Sequence, residues 1–372
     1  METPLRRVTS LVAVTAAATL ALAACSTGSS SSSSSSAATD AASASAASSS
    51  APAAAAIKVG LAYDIGGRGD KSFNDAAAAG LDKAKTDLGI EVKELSATQG
   101  ETDADKETRL KLLADGGYNP VIAVGFLYGT ALAKVAAAYP NTQFGIIDSV
   151  VQDANKKEVA NVTGLTFAEE QGSYLVGVAA AKKSKTGNVG YIGGCLIPLL
   201  QKFEAGYVAG AKATNPAIKV QVKYLSNPPD CKGFNDPAAG TETANGMYDG
   251  GADVVFAAAG GSGTGVFQSA KAKGKLAIGV DSDQYQSAAA DLKPVIMTSM
   301  LKRVDTAVYD FIKSAKDGSP LKDVQVFDLS KDGVGYATSN PSVLTPDITK
   351  AMDDAKAKIV AGTITVPAVP AK

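Results

Sequence analysis

The chain is 372 residues long, with 36 Lys plus Arg against 37 Asp plus Glu, a net charge of −1 and no histidine. Balanced charge with no concentrated basic segment argues against a nucleic acid polymer as partner, because phosphate binding needs a basic surface. Lack of histidine excludes imidazole zinc sites and Ser-His-Asp or Cys-His catalysis; no catalytic residue, metal ligand or cofactor is expected.

In chain order, Arg6 and Arg7 precede an apolar stretch ending Leu22-Ala23-Ala24-Cys25. A positive start, an apolar core and small residues before a cut mark an export signal, expected over residues 1–24. Cys25 directly after Leu-Ala-Ala resembles the lipobox of bacterial lipoproteins, which implies cleavage before Cys25 and a lipid, palmitate included, upon it. The alternative is an ordinary signal peptide with a chance cysteine. The Ser/Ala-rich tract that follows, residues 25–56 with Cys25, includes the unbroken run Ser29–Ser36. It cannot bury enough apolar surface to fold; as a coil of about 31 residues it would span about 30 Å. No later apolar run reaches the ~20 residues that cross a bilayer, so lipid alone is expected to attach the protein to the outer face of a membrane.

From residue 57 onward the chain is too long for one compact core and suggests two lobes. Strands are expected at Ile57–Asp64, Glu91–Ala97, Pro120–Gly125, Gln143–Asp148, Asn161–Phe167, Asn188–Gly194, Lys219–Leu225, Asp253–Ala259, Leu276–Ser282 and Val295–Met300. Between them Asn74–Leu88, Asp103–Gly116, Tyr128–Tyr139, Glu169–Ser184, Leu200–Thr214, Asn235–Gly250 and Gly265–Lys273 carry apolar residues at helical spacing. Such alternation gives α/β architecture, parallel sheets covered by helices on both faces. Ten strands exceed one comfortable open sheet here, so two doubly wound lobes are expected.

In open α/β sheets ligands sit beyond the carboxyl ends of the strands, which singles out the loop after each strand. Gly69-Asp70-Lys71-Ser72-Phe73-Asn74 opens a helix that Ser72 or Asn74 can cap. Phe73 is either folded into the core or offered to a ligand. The glycine-rich run Ala259–Gly265 allows close backbone approach but lacks the Lys-Ser/Thr of a P-loop. Its plain alternative is a tight strand-to-helix turn. Asp281 and Asp283 offer carboxylates to vicinal hydroxyls; they could instead cap a helix, lie in a solvated turn, or serve a glycosidase. Cys195 and Cys231 are expected to pair in an oxidising compartment, closing a loop of about 37 residues worth about 3–4 kcal/mol; the alternative is two inert thiols.

Taken together, Lys58-Val59-Gly60-Leu61, Asp70–Asn74, Gly125-Phe126, Phe144–Asp148, Glu170–Gly177, Gly190–Gly194, Phe203–Tyr207, Gly251–Phe256 and Ile278–Gln284 occur in order. This series resembles the basic membrane protein family, the PnrA-like substrate-binding lipoproteins of ABC transporters, from about Ile57 to the Gly362–Pro367 tail. The resemblance implies a type I periplasmic-binding-protein fold with an interlobe ligand cleft, residues 57–164 plus 301–322 forming lobe 1 and 165–300 plus 323–372 lobe 2. It implies a monomeric receptor that takes a nucleoside, purine favoured, by hinge closure and delivers it to an ABC permease.

Carried over by position, Phe73 and Phe203 would stack on the two faces of a base and Asn74 would bond its edge. Asp281 would accept the ribose hydroxyls, Lys302 would donate to ribose oxygens, and Gly260 would let the backbone reach the sugar. Phe126 and Asp148 would line the cleft near the base. Two departures stand out: a longer, glycine-richer first loop (Ile65–Gly69), and Cys195 with Cys231 and the insert Asn227–Phe234, a subgroup feature beside the cleft. The rival readings are the same fold binding a sugar or other small polar solute, a surface hydrolase using Asp281 and Asp283, and a ligand-sensing surface lipoprotein without transport.

Overall fold

The computed structural model describes residues 57–371. The expected signal peptide, Cys25 and the Ser/Ala tether lie outside the described residues. The first half of the described chain runs β1 (Lys58–Ala62), α1 (Phe73–Leu88), β2 (Glu91–Leu95), α2 (Asp103–Asp115), β3 (Val121–Ala123), α3 (Gly129–Ala138), β4 (Phe144–Ile147) and β5 (Val162–Phe167). It continues through α4 (Glu169–Lys183), β6 (Asn188–Gly193), α5 (Pro198–Thr214), β7 (Lys219–Tyr224), α6 (Pro237–Asp249), β8 (Val254–Ala258), α7 (Gly263–Lys273), β9 (Leu276–Asp281), α8 (Gln284–Ser287) and β10 (Ile296–Lys302). The chain closes with α9 (Val304–Lys316), β11 (Val324–Phe327), β12 (Val334–Tyr336) and α10 (Pro346–Val360).

Two six-stranded sheets result, ordered β2-β1-β3-β4-β5-β11 and β7-β6-β8-β9-β10-β12. Their central strands are apolar and buried throughout, as in β4 and β8, because helices cover both faces. All neighbours are parallel except β10 and β12. This is the doubly wound, two-lobed α/β fold expected from the alternation, and each of the ten expected strands is present.

The lobe boundaries shift by a few residues. Leu165–Phe167, expected in lobe 2, stays in β5 of the first sheet. Leu301 and Lys302, expected in lobe 1, extend β10 of the second, paired to β9 and β12. Residues 324–327, expected in lobe 2, form β11 against β5. In each case a strand ladder holds the residues past the expected break. The chain thus crosses between the sheets after Phe167, after Lys302 and after Phe327, so three connections join the lobes.

Close helix packing fixes the residues that face the cleft. A Cβ on Gly206 would sit 2.0 Å from the Glu170 carbonyl oxygen, and one on Gly210 2.0 Å from that of Tyr174. These glycines let α5 lie directly on α4, which sets the height at which Phe203 projects. Among the described residues, no helix is long and apolar enough to cross a membrane.

Candidate functional site

Loops at the carboxyl ends of both sheets line a cavity that is partly open to solvent. From the first lobe it is lined by Asp64, Ile65, Phe73, Asn74, Phe126, Leu127 and Asp148. From the second come Leu199, Leu200, Phe203, Phe234, Ala258, Gly260, Val280, Asp281 and Lys302. All eight ligand-site candidates named from the sequence are therefore brought to one cavity, although they are spread over some 230 residues of chain.

The loop after β1 is organised by Asp70, not by Ser72 or Asn74 as expected. Its carboxylate accepts from the backbone N–H groups of Ser72 (2.9 Å), Asn74 (2.9 Å) and Asp75 (3.1 Å), satisfying the free donors at the start of α1. Ser72 is released from capping and its hydroxyl crosses to the other lobe, donating to Asp281 Oδ2 at 2.7 Å. The Ser282 hydroxyl returns the contact, donating to the Ser72 carbonyl at 2.9 Å. Asn74 is buried, and its amide is committed to its own loop: Oδ1 accepts from Asp64 N–H at 3.1 Å and Nδ2 donates to Asp70 at 3.0 Å.

Asp148, just past β4, and Asp281, at the end of β9, both adopt a left-handed backbone with φ 63°. That conformation is uncommon for residues with a side chain, and aspartate tolerates it better than most. Between them lies Lys302, 3 % exposed, whose Nζ is 2.6 Å from Asp148 Oδ2 and 3.3 Å from Asp281 Oδ1. The ammonium also sits 4.6 Å from the ring centre of Phe73 and 5.6 Å from those of Phe167 and Phe203, an arrangement favoured by the negative ring faces. Burial works against a charged lysine, but Asp148, Asp281 and Glu169 outweigh it and hold its pKa above the usual value. Burial pushes the Asp148 carboxyl up, with the Lys302 charge opposing it. Asp148 Oδ1 is buried without a hydrogen-bond partner.

Two features escaped sequence reasoning. Asp64 follows β1 as Asp148 follows β4; the strand-end rule applied to β1 could have found it. Burial pushes its carboxyl up to about 7 although Oδ1 accepts from Ile65 N–H at 2.7 Å. Phe234, in a one-turn 3₁₀ segment Lys232–Phe234, lines the cavity and meets Phe126 of the other lobe edge to face at 6.2 Å. The sequence placed its insert beside the cleft, with nothing to distinguish wall from surroundings. Where the chain leaves β5, the buried Glu169 pairs at 3.0 Å with Lys202, which is partly exposed. Burial, then the charge of Asp148, push the Glu169 carboxyl up to about 7.

Phe203 is 2 % exposed and packs on Phe256, so it is a core residue whose rim reaches the cavity. Phe73 and Phe126 are only half-buried. Gly260 has φ 54° and opens the short turn before α7, the tight strand-to-helix turn set against the ligand reading, here at the cavity wall. Asp283 is not among the lining residues. Cys195 and Cys231 are joined by a disulfide, Cα–Cα 5.1 Å. Among the described residues, no group of three or more acidic or cysteine side chains is placed to hold a metal ion. The site can offer flat apolar surface, a buried cation and carboxylate acceptors, which suits recognition of a small ligand with an aromatic part and a hydroxyl-bearing part.

The family described as "ABC transporter substrate-binding protein PnrA-like" matches residues 56–369. A Lactococcus lactis subsp. cremoris protein named "ABC transporter nucleoside-binding protein BmpA" is 36% identical over 327 residues, 84% of this chain and 89% of that one. A Pyrococcus abyssi protein named as an uncharacterized lipoprotein is 35% identical over 294 residues, covering 75% of this chain and 69% of its own length. Among solved structures, an ABC transporter solute-binding protein from Aeropyrum pernix K1 superposes with a TM-score of 0.72 at 28% identity, over 84% of this chain and 94% of that chain.

Proposed function

The chain belongs to the PnrA-like family of ABC transporter substrate-binding proteins, and we propose that it binds a nucleoside, purine favoured, in the interlobe cavity and delivers it to a permease. The observation that carries this reading is that one cavity combines two chemistries. Phe73, Phe126, Phe203 and Phe234 give it aromatic walls, each stacking contact with a base being worth about 1–3 kcal/mol. Asp281 and Lys302 give it a charged end. A carboxylate accepts from two vicinal hydroxyls at once, and an ammonium with three N–H donors keeps donors for a ligand after its hydrogen bond to Asp148. Asp64, whose carboxyl burial pushes up to about 7, lines the cavity beside Asn74, and the two are proposed to face the edge of the base. The name of the Lactococcus relative supports the same ligand class.

Ligand contacts from both lobes favour the closed arrangement over the open one, and that difference is the signal a permease reads. No chemistry on the ligand is proposed. The lipobox-like Cys25, the lipoprotein name of the Pyrococcus relative and the disulfide support a lipid-anchored protein on the extracytoplasmic face of a bacterial membrane.

Thermal unfolding with purine and pyrimidine nucleosides, free bases and sugars tests the ligand. A ligand at a hundred times its Kd stabilises the protein by about 2.7 kcal/mol, enough to raise Tm by several degrees. The expected result is a shift with nucleosides and none with ribose. A shift with sugars alone would move the assignment to a sugar receptor, and none with any of these would remove it.

A further inference from the structure

We propose that the Cys195–Cys231 disulfide is part of the ligand site, with both cysteines acting as positioning residues for Phe234. That the ligand is a nucleoside rests on the reading above; that the bond sets the wall does not.

Four consecutive exposed residues, Asn227–Asp230, lead into Cys231, and Phe234 follows three residues later with its own side chain only half-buried. Burial of the ring therefore holds this segment only in part. Its seat is the backbone of Gly194: a Cβ there would lie 2.4 Å from the Phe234 ring. Gly194 adjoins Cys195, so the disulfide ties the ring's loop directly to the ring's seat. Both cysteines are buried, and Cys231 takes a left-handed φ of 42° at the point where the loop turns inward.

Two serines complete the clamp. The Ser226 hydroxyl donates to the Gly194 carbonyl at 2.7 Å and accepts from Gly233 N–H at 3.0 Å. The Ser262 hydroxyl, in the turn that begins at Gly260, donates to the Gly233 carbonyl at 2.8 Å and accepts from Asp236 N–H at 2.7 Å. The loop is thereby fixed to the ends of both β6 and β8. From that position Phe234 lines the cavity and meets Phe126 across the cleft. Loss of the disulfide should loosen this wall while leaving both sheets folded.

The test compares the wild type, Cys195→Ala/Cys231→Ala, Phe234→Ala and the triple variant in two readouts. Amide hydrogen exchange without ligand should become at least tenfold faster over residues 231–236 in the double-cysteine variant, with the sheets unchanged. Guanosine titration should give about a tenfold weaker Kd for that variant. The triple variant should bind no more weakly than Phe234→Ala, because the disulfide acts through that ring. Unchanged exchange overturns the proposal. So does unchanged guanosine affinity in a wild type that binds guanosine, or the same tenfold loss on removing the disulfide from Phe234→Ala. A wild type that binds no nucleoside defeats the ligand reading alone, and the exchange arm still decides the clamp. If the double variant does not fold, the wild type reduced with dithiothreitol replaces it in both arms.

Discussion

The two lobes repeat one strand order, β2-β1-β3-β4-β5-β11 matching β7-β6-β8-β9-β10-β12, yet they equip corresponding strand ends differently. Where β4 and β9 end, the equipment is the same: Asp148 and Asp281 share a left-handed φ of 63° and converge on one ammonium. Where β5 and β10 end it is not, for Phe167 occupies one end and Lys302 the other, and the lysine lies over that phenylalanine at 5.6 Å. After β1 comes a glycine-rich loop with Asp64; after β6 comes a disulfide-clamped wall. Paired architecture thus supplies the cleft, and departures from the pairing supply its chemistry.

Lys302 is the departure on which both lobes depend, and removing it should have the largest effect. In Lys302→Met the buried carboxylates lose their counter-charge. Breaking such an arrangement costs about 3–5 kcal/mol, and nucleoside affinity should fall more than a hundredfold. Thermal melts and calorimetric titration read both quantities; a variant with wild-type Tm and affinity would take Lys302 out of the account.

The matched aspartates come next. Asp281→Asn should weaken nucleoside binding by about a hundredfold and Asp148→Asn by about tenfold, since only Asp281 is assigned to the sugar hydroxyls. Equal losses would mean that the two strand ends do the same work. Phe73 and Phe203 should separate in a different way. Phe73→Ala and Phe203→Ala should each cost at least tenfold in affinity, but only Phe203→Ala should also cost about 3–5 kcal/mol of stability, because that side chain is buried in the core.

The smallest effect concerns Asp64, which has an acid where the second lobe has its disulfide-bearing segment. With its pKa raised from 3.8 to about 7, the folded protein keeps a proton at Asp64 that the unfolded chain has lost. The resulting penalty is absent in strong acid, grows as pH rises between those values and is complete above pH 7. Asp64→Asn should therefore raise Tm by a few degrees at pH 8 without ligand and leave it unchanged at pH 3. A Tm difference independent of pH would contradict the buried acid.

The alternation of apolar strands and amphipathic helices was legible because the inner strands of both sheets are buried on both faces, while β2 and β7 at the edges are only partly buried. The short edge strands β11 and β12 carry no continuous apolar run, and neither they nor α9 and α10 were anticipated. Site residues just past strand ends, such as Asp148 and Asp281, could be read from position. Roles that depend on packing could not. Nothing in Asp70 announces that it frees Ser72 to bridge the lobes, nothing in Phe203 separates a core ring from a stacking one, and Phe234 acquires its place through Gly194, the disulfide and the hydroxyls of Ser226 and Ser262.

The most direct test of a cavity that combines aromatic walls with charged groups is calorimetric titration of the purified protein with guanosine, guanine and ribose in parallel. The account predicts a micromolar or tighter Kd for guanosine, and binding at least a thousandfold weaker for either fragment, since each engages only part of the site. Ribose binding as tightly as guanosine, or guanosine giving no heat at any attainable concentration, would contradict it.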